Sequence, residues 1–134
     1  MKKALLLGAL ALAGVIALPT TAALAKKETG AVAALDTDND GTVDLNEINK
    51  SAQDLFGRLE KDADGTVDFK EMKGRVSKKD FKTADPDNDG TLSKDEFLAM
   101  VSAMFKEADP DNDGTLDAKE FASKKGKALL RVTR

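Results

Sequence analysis

Four twelve-residue stretches of this chain share one layout: DTDNDGTVDLNE at 36–47, EKDADGTVDFKE at 60–71, DPDNDGTLSKDE at 85–96 and DPDNDGTLDAKE at 109–120. Each has an acid at positions 1, 3 and 5, Gly at 6, Thr at 7, an aliphatic residue at 8 and Glu at 12. Acids on alternate residues of a tight turn crowd like charge together, and only a cation offsets that repulsion. The loops begin at 36, 60, 85 and 109, so they recur every 24 or 25 residues and leave about 12 residues between neighbours. Two helices and a linker do not fit there. One helix must leave one loop and approach the next.

The layout is that of the EF-hand loop, in which alternate positions supply oxygen, Gly makes the sharp turn and a two-oxygen Glu closes the shell. In loop 1 the ligands expected are Asp36, Asp38, Asp40, the backbone carbonyl of Thr42, Asp44 directly or through water, and Glu47. Loop 4 matches throughout, with Asp109, Asp111, Asp113, Thr115, Asp117 and Glu120. Loop 3 offers Asp85, Asp87, Asp89, Thr91 and Glu96, with Ser93 at position 9 able to hold a bridging water. Loop 2 begins with Glu60, whose longer arm must bend, and continues with Asp62, Asp64, Thr66, Asp68 and Glu71. It reads either as a fourth ion site or as a structural hand that keeps loop 3 in register. Pro86 and Pro110 occupy position 2 of loops 3 and 4. They either stiffen the loop and remove a backbone donor beside the ligands, or simply favour a turn.

Composition narrows the chemistry. The chain has no Cys and no His, which removes thiolate and imidazole ligands and leaves the oxygen set suited to hard ions. Without those side chains, and with the carboxylates committed to coordination, no enzyme can be read. The first 25 residues have the form of a signal peptide: Lys2 and Lys3, an apolar run from Ala4 to Leu18, then Ala23-Leu24-Ala25 as a cleavage site. The run is shorter than the roughly 20 residues of a spanning helix. The expected organisation is therefore a signal peptide at 1–25, a flexible tail at 26–34 and a metal-binding domain at 35–134. A secreted, periplasmic location follows, with no membrane anchor after cleavage. Removing two Lys from a chain of net charge −3 leaves −5. Almost all the acids lie in the loops, the remainder being Glu28, Asp54, Asp80 and Glu107, so the rest of the surface is Lys-rich. This pattern excludes a nucleic-acid binder.

The fold class expected is all-α. Leu45, Ile48, Ala52, Leu55 and Leu59 fall at helical spacing in 45–59, and Phe97, Val101, Met104 and Phe105 do so in 95–108. Between loops 2 and 3, Gly74 and a Ser77/Asp80 cap predict two short helices with a bend. A helix of 12–14 residues is about 18–21 Å long, so it holds its two loops apart, and the bend lets the chain fold back. Loops 1 and 4 are then expected to pair, and loops 2 and 3, through Val43 with Leu116 and Val67 with Leu92. Leu129, Leu130 and Val132 can dock from the C-terminal tail. A core of this size is marginal, so ion binding is expected to supply part of the folding free energy.

The short spacing, the Asp-Pro-Asp-Asn-Asp-Gly-Thr-Leu loops, the Lys-Gly-Arg-Val-Ser bend and the signal segment together resemble the lanmodulin family over residues 31–134. That resemblance implies a compact three-helix core with peripheral loops, folding on trivalent ions, and a role in lanthanide uptake or trafficking. It also implies an uptake or lanthanide-dependent protein partner. The chain departs from the family pattern at Thr37 and Lys61, where the family tends to have Pro, at Ser93, where it has Asp, and at Glu60. The lanthanide(III) ion is the expected cargo. Calcium, held by a buffer or sensor, is the competing one. Dockerin modules also repeat calcium loops at short spacing, but usually as two loops closed by Asp. A sensor groove would use Met72, Met100 and Met104, which fit core filling equally well.

Overall fold

The computed structural model describes residues 30–134. The expected signal segment, and the first part of the expected tail, lie outside the described residues. Among the described residues, six helices and four short strands follow in order: α1 (Val32–Leu35), β1 (Val43–Asp44), α2 (Leu45–Leu59), β2 (Thr66–Asp68), α3 (Lys78–Ala84), β3 (Thr91–Ser93), α4 (Lys94–Ala108), β4 (Thr115–Leu116), α5 (Ala118–Ala122) and α6 (Lys124–Leu130). Among the described residues, no helix is long and apolar enough to cross a membrane.

The strands are the eighth positions of the loops and their neighbours. In one antiparallel ladder Val43 faces Leu116; in the other Val67 faces Leu92. All four of these side chains are fully buried. The ladders therefore join loop 1 to loop 4 and loop 2 to loop 3, and they also pin the ends of the helices to the core.

The two long helices run unbroken between loops. Each has 15 residues and so spans about 22 Å. Both start with a reciprocal cap. Asp44 accepts a hydrogen bond from the Glu47 N–H while Glu47 accepts from the Asp44 N–H; Ser93 and Glu96 do the same. Ile48, Ala52, Leu55, Phe56 and Leu59 form the buried stripe of α2, and Phe97, Met100, Val101, Phe105 and Ala108 that of α4. Phe56 and Phe97 meet with ring centroids 5.4 Å apart in a tilted pair, which locks α2 against α4. Helix α6 packs on the other side of α4. These three helices are the frame on which the loops are mounted.

Two segments differ from the sequence expectation. The stretch after loop 2 was expected to begin with a short helix; instead residues 69–75 are a succession of turns. Met72 N–H donates to Asp68 O at 3.1 Å, but Lys73 and Arg75 then bond only three residues back. Asp68 and Glu71 make the same reciprocal hydrogen bonds that start helices elsewhere. Gly74, at φ +81°, comes three residues later, before a helix can recover its nucleation cost. The single helix of this region is α3, capped by Ser77 and anchored by Phe81, whose ring meets Phe69 edge-on at 5.4 Å.

The second difference lies at the expected tail. Residues 32–34, placed there by sequence, belong to a helical turn in which Val32 and Leu35 are buried against the core. Past loop 4 the helix breaks at Ser123. That residue ends α5 and caps α6, accepting from the Gly126 N–H at 3.0 Å. The fold-back is so tight that a Cβ on Gly126 would lie 2.0 Å from the Glu120 carbonyl oxygen. Only glycine fits there. Leu129 and Val132 are fully buried, and Arg75 donates to the carbonyls of Arg131 and Arg134, tying this segment down.

Candidate metal centre

Each loop is shaped by its own carboxylates before any ion is considered. The position-1 acid reaches across the turn to the position-6 glycine: Gly41 N–H donates to Asp36, Gly65 to Glu60, Gly90 to Asp85 and Gly114 to Asp109, at 2.6–3.0 Å. These glycines sit at φ +85° to +91°, a region a side chain would oppose. Position 4 is also left-handed. Asn39, Asn88 and Asn112 tolerate this; in loop 2 the residue is Ala63, at φ +59°.

Thr at position 7 does more than its expected backbone role. In every loop its N–H and its hydroxyl both donate to one oxygen of the position-5 Asp, at 2.8–2.9 Å. Thr42 thereby orients Asp40, Thr66 orients Asp64, Thr91 orients Asp89 and Thr115 orients Asp113, and the second carboxylate oxygen is left over. This role was missed from sequence, although the fourfold Asp-Gly-Thr repeat was its signal. Position 9 is likewise partly spoken for. Asp44, Asp68, Ser93 and Asp117 accept from the N–H of the closing Glu, so one oxygen of each serves the chain.

Three groups of carboxylates converge, with oxygens within 4.8 Å of one another: Asp36, Asp38 and Asp40 in loop 1; Asp85, Asp87 and Glu96 in loop 3; Asp109, Asp111 and Glu120 in loop 4. Among the described residues, none of the acids of loop 2 (Glu60, Asp62, Asp64, Asp68, Glu71) joins such a group, nor do Asp44, Glu47, Asp89, Asp113 and Asp117. Asp85 and Asp109 are each only 5% exposed.

The electrostatics follow from this crowding. Partial burial pushes Asp36 and Asp85 upward, but donation from Gly41 and Asn39, and from Gly90, outweighs it, and both titrate below the ordinary Asp value. Position 3 goes the other way. Asp87 is raised by the hydrogen bond it shares with Asp85 and by the charges of Asp89 and Glu96. Asp38 and Asp111 are raised despite a backbone bond from Asp40 or Asp113, because burial and neighbouring carboxylates prevail. Burial, with the charges of Asp111, Asp117 and Asp109, raises Glu120. In loop 2, the Thr66 hydroxyl and N–H lower Asp64.

The donor set fits a hard cation. Asp109 Oδ1 and Glu120 Oε1 are buried oxygens with no hydrogen-bond partner. Unsatisfied buried acceptors are costly, and a cation between them removes that cost. The residues that would hold it in loop 4 are Asp109, Asp111 and Glu120, with Asp85, Asp87 and Glu96 the counterparts in loop 3.

Family models agree with this geometry. One described as an EF hand domain matches residues 76–104, an EF-hand domain pair matches 99–123, and an EF hand matches 33–50. The matched stretches contain loops 1, 3 and 4, the three whose carboxylates converge, and EF-hand loops typically hold calcium; loop 2 lies outside all three matches. A search of curated proteins gave no match.

Proposed function

We propose that this chain captures lanthanide(III) ions in its EF-hand loops in the periplasm, folds around them, and serves their uptake or trafficking. The observation that carries the cation reading is the pair of orphaned oxygens, Asp109 Oδ1 and Glu120 Oε1, inside a three-carboxylate group. The case for a trivalent cargo rests on charge. Each loop holds five acids in twelve residues, and a 3+ ion offsets more of their mutual repulsion than a 2+ ion. The raised titration of Asp38, Asp87, Asp111 and Glu120 comes from burial and hydrogen bonding between carboxylates together with the same repulsion. The resemblance to lanmodulins and the signal-like N-terminus support the location and the role. Binding, not reaction, is the activity: the EF-hand is a binding and sensing fold, and the carboxylates here are engaged with one another and with the backbone.

The test is a competitive titration of the purified chain, residues 26–134, against a chelator of known affinity. Lanthanum(III) chloride is added in one series and calcium chloride in another, and helicity is followed by circular dichroism. Helix gain at micromolar lanthanum with none at millimolar calcium is the expected result. Equal responses to both ions would replace the lanthanide reading with a calcium buffer or sensor. A chelated chain already rigid and indifferent to both salts would remove the reading altogether.

A further inference from the structure

The closing glutamates differ in what else holds them, and the difference tracks position 2. In all four loops Oε2 of this Glu accepts from the position-9 N–H, at 2.8–3.0 Å. The other oxygen has three different fates. Glu47 Oε1 accepts both the N–H of Thr37 at 2.6 Å and its hydroxyl at 3.0 Å. Glu71 Oε1 accepts the Lys61 N–H at 3.2 Å. Loops 3 and 4 have Pro86 and Pro110 at this position, which carry no N–H. Among the described residues no hydrogen bond reaches Glu96 Oε1, and Glu120 Oε1 is a buried orphan.

A carboxylate oxygen has two lone pairs. Two donors from Thr37 occupy both on Glu47 Oε1, one donor from Lys61 occupies one on Glu71 Oε1, and the proline loops leave both open. The carboxylate groups divide along the same line, between the proline loops and the other two. Glu96 and Glu120 stand inside the acidic groups of their loops; Glu47 stands outside the group formed by Asp36, Asp38 and Asp40; Glu71 stands in none.

We infer that Thr37 is a latch on loop 1: it holds Glu47 away from the other carboxylates, so that loops 3 and 4 fill first and loop 1 only when an ion displaces the Thr37 donors. The inference rests on the proposed ion-binding function and deepens it by assigning an order to the sites. Position 2 then sets how much of the closing Glu each loop must free before it grips. The backbone admits a direct test. Asp36, which precedes Thr37, is extended at φ −68° and ψ 102°, a conformation compatible with a following proline.

The four position-6 glycines give one backbone amide per loop. In a ¹⁵N-labelled chain titrated with lanthanum(III) chloride, the Gly90 and Gly114 amides are expected to shift before that of Gly41. Thr37→Pro removes both donors and is expected to tighten loop 1 roughly tenfold or more, bringing Gly41 into step with Gly114. Thr37→Val keeps the N–H and loses the hydroxyl, so Gly41 should move to an intermediate point. Thr37→Ser restores both donors and should restore the wild-type order, which a purely structural role of the threonine methyl would not. Pro110→Thr is expected to delay Gly114. The latch is overturned if Gly41 shifts with or ahead of Gly114 in the wild type, or if Thr37→Pro leaves the order unchanged while the Gly41, Gly90 and Gly114 amides still respond. If no glycine amide responds to lanthanum, the ion-binding reading and the latch fall together.

Discussion

Loops 2 and 3 lie across one ladder from each other, share Asp-Gly-Thr and make the same reciprocal bonds between positions 9 and 12, yet only loop 3 gathers its carboxylates. In loop 3 the first acid is a buried Asp, the second residue is Pro, the fourth is Asn, and the chain continues into a 15-residue helix. In loop 2 those features are Glu60, Lys61, Ala63 and a run of turns stopped by Gly74. The twelve-residue pattern thus shapes a turn, and the length of its first acid, together with residues outside the ligand positions, decides whether the turn becomes a cage. Between these two loops, the closing Glu that joins its group has a helix behind it, and the one that does not has a string of turns.

The largest test of this contrast is to remove the support behind each loop. Phe97→Ala deletes a fully buried ring at the start of α4 and is expected to cost about 3–5 kcal/mol, read as thermal or denaturant unfolding. Phe69→Ala, at a partly buried ring on the loop 2 side, should cost about 1–2 kcal/mol. Equal losses would show that both loops are equally supported.

Next comes the closing Glu itself. Gln preserves the reciprocal cap and removes charge, so Glu96→Gln isolates the ion-binding part. It should weaken lanthanum binding at loop 3 about thirtyfold, or about 2 kcal/mol, by titration calorimetry. Glu71→Gln should change binding far less. A reversed order would put the cage in loop 2.

Smaller still is the strain in loop 2. Ala63→Asn places a residue that tolerates the left-handed region where Ala does not, and should stabilise the metal-free chain by about 1 kcal/mol. The reverse change in loop 3, Asn88→Ala, should cost a similar amount.

The pH response of the metal-free chain is the finest test. Asp38, Asp87, Asp111 and Glu120 have folded values raised above the ordinary 3.8 for Asp and 4.5 for Glu. Between those values and the raised ones, the folded chain binds more protons than the unfolded one, so stability rises as pH falls through that window. Asp36, Asp64 and Asp85 are lowered. Their contribution is present above the ordinary Asp value and is lost as pH falls through their lower folded values. Melting temperature should therefore rise as pH falls toward the ordinary carboxylate values and decline in stronger acid. Asp87→Asn should flatten the rise.

How much of this was legible in the chain depends on the range of the interaction. The shared helices could be read because spacing, apolar stripe and cap are all local: 45–59 was expected and Leu45–Leu59 is found, and 95–108 differs from Lys94–Ala108 by one residue. The carboxylate groups of loops 1, 3 and 4 were legible for the same reason. The turns after loop 2 were not, because a cap signal at Asp68 and Glu71 competes with a glycine stop and the balance is set by how few residues lie between them. The break at Ser123 depends on Gly126 approaching Glu120, which no periodicity reveals. The bond from Thr37 to Glu47 joins residues ten positions apart, and its meaning appears only when the four loops are compared in three dimensions. The packing of Val32 and Leu35 is a tertiary event of the same kind.

Helix α4 carries Glu96 near its first turn and hands directly into Asp109 at its last. A calcium sensor signals by swinging one helix of a hand away from the other. Here the swinging arm of one hand would be the fixed arm of the next, so tilting the rod to open loop 3 would drag the first carboxylate of loop 4 out of place. Such a seesaw penalises opening at both ends at once. The architecture therefore favours a vessel that closes and stays closed over a switch that displays a new face.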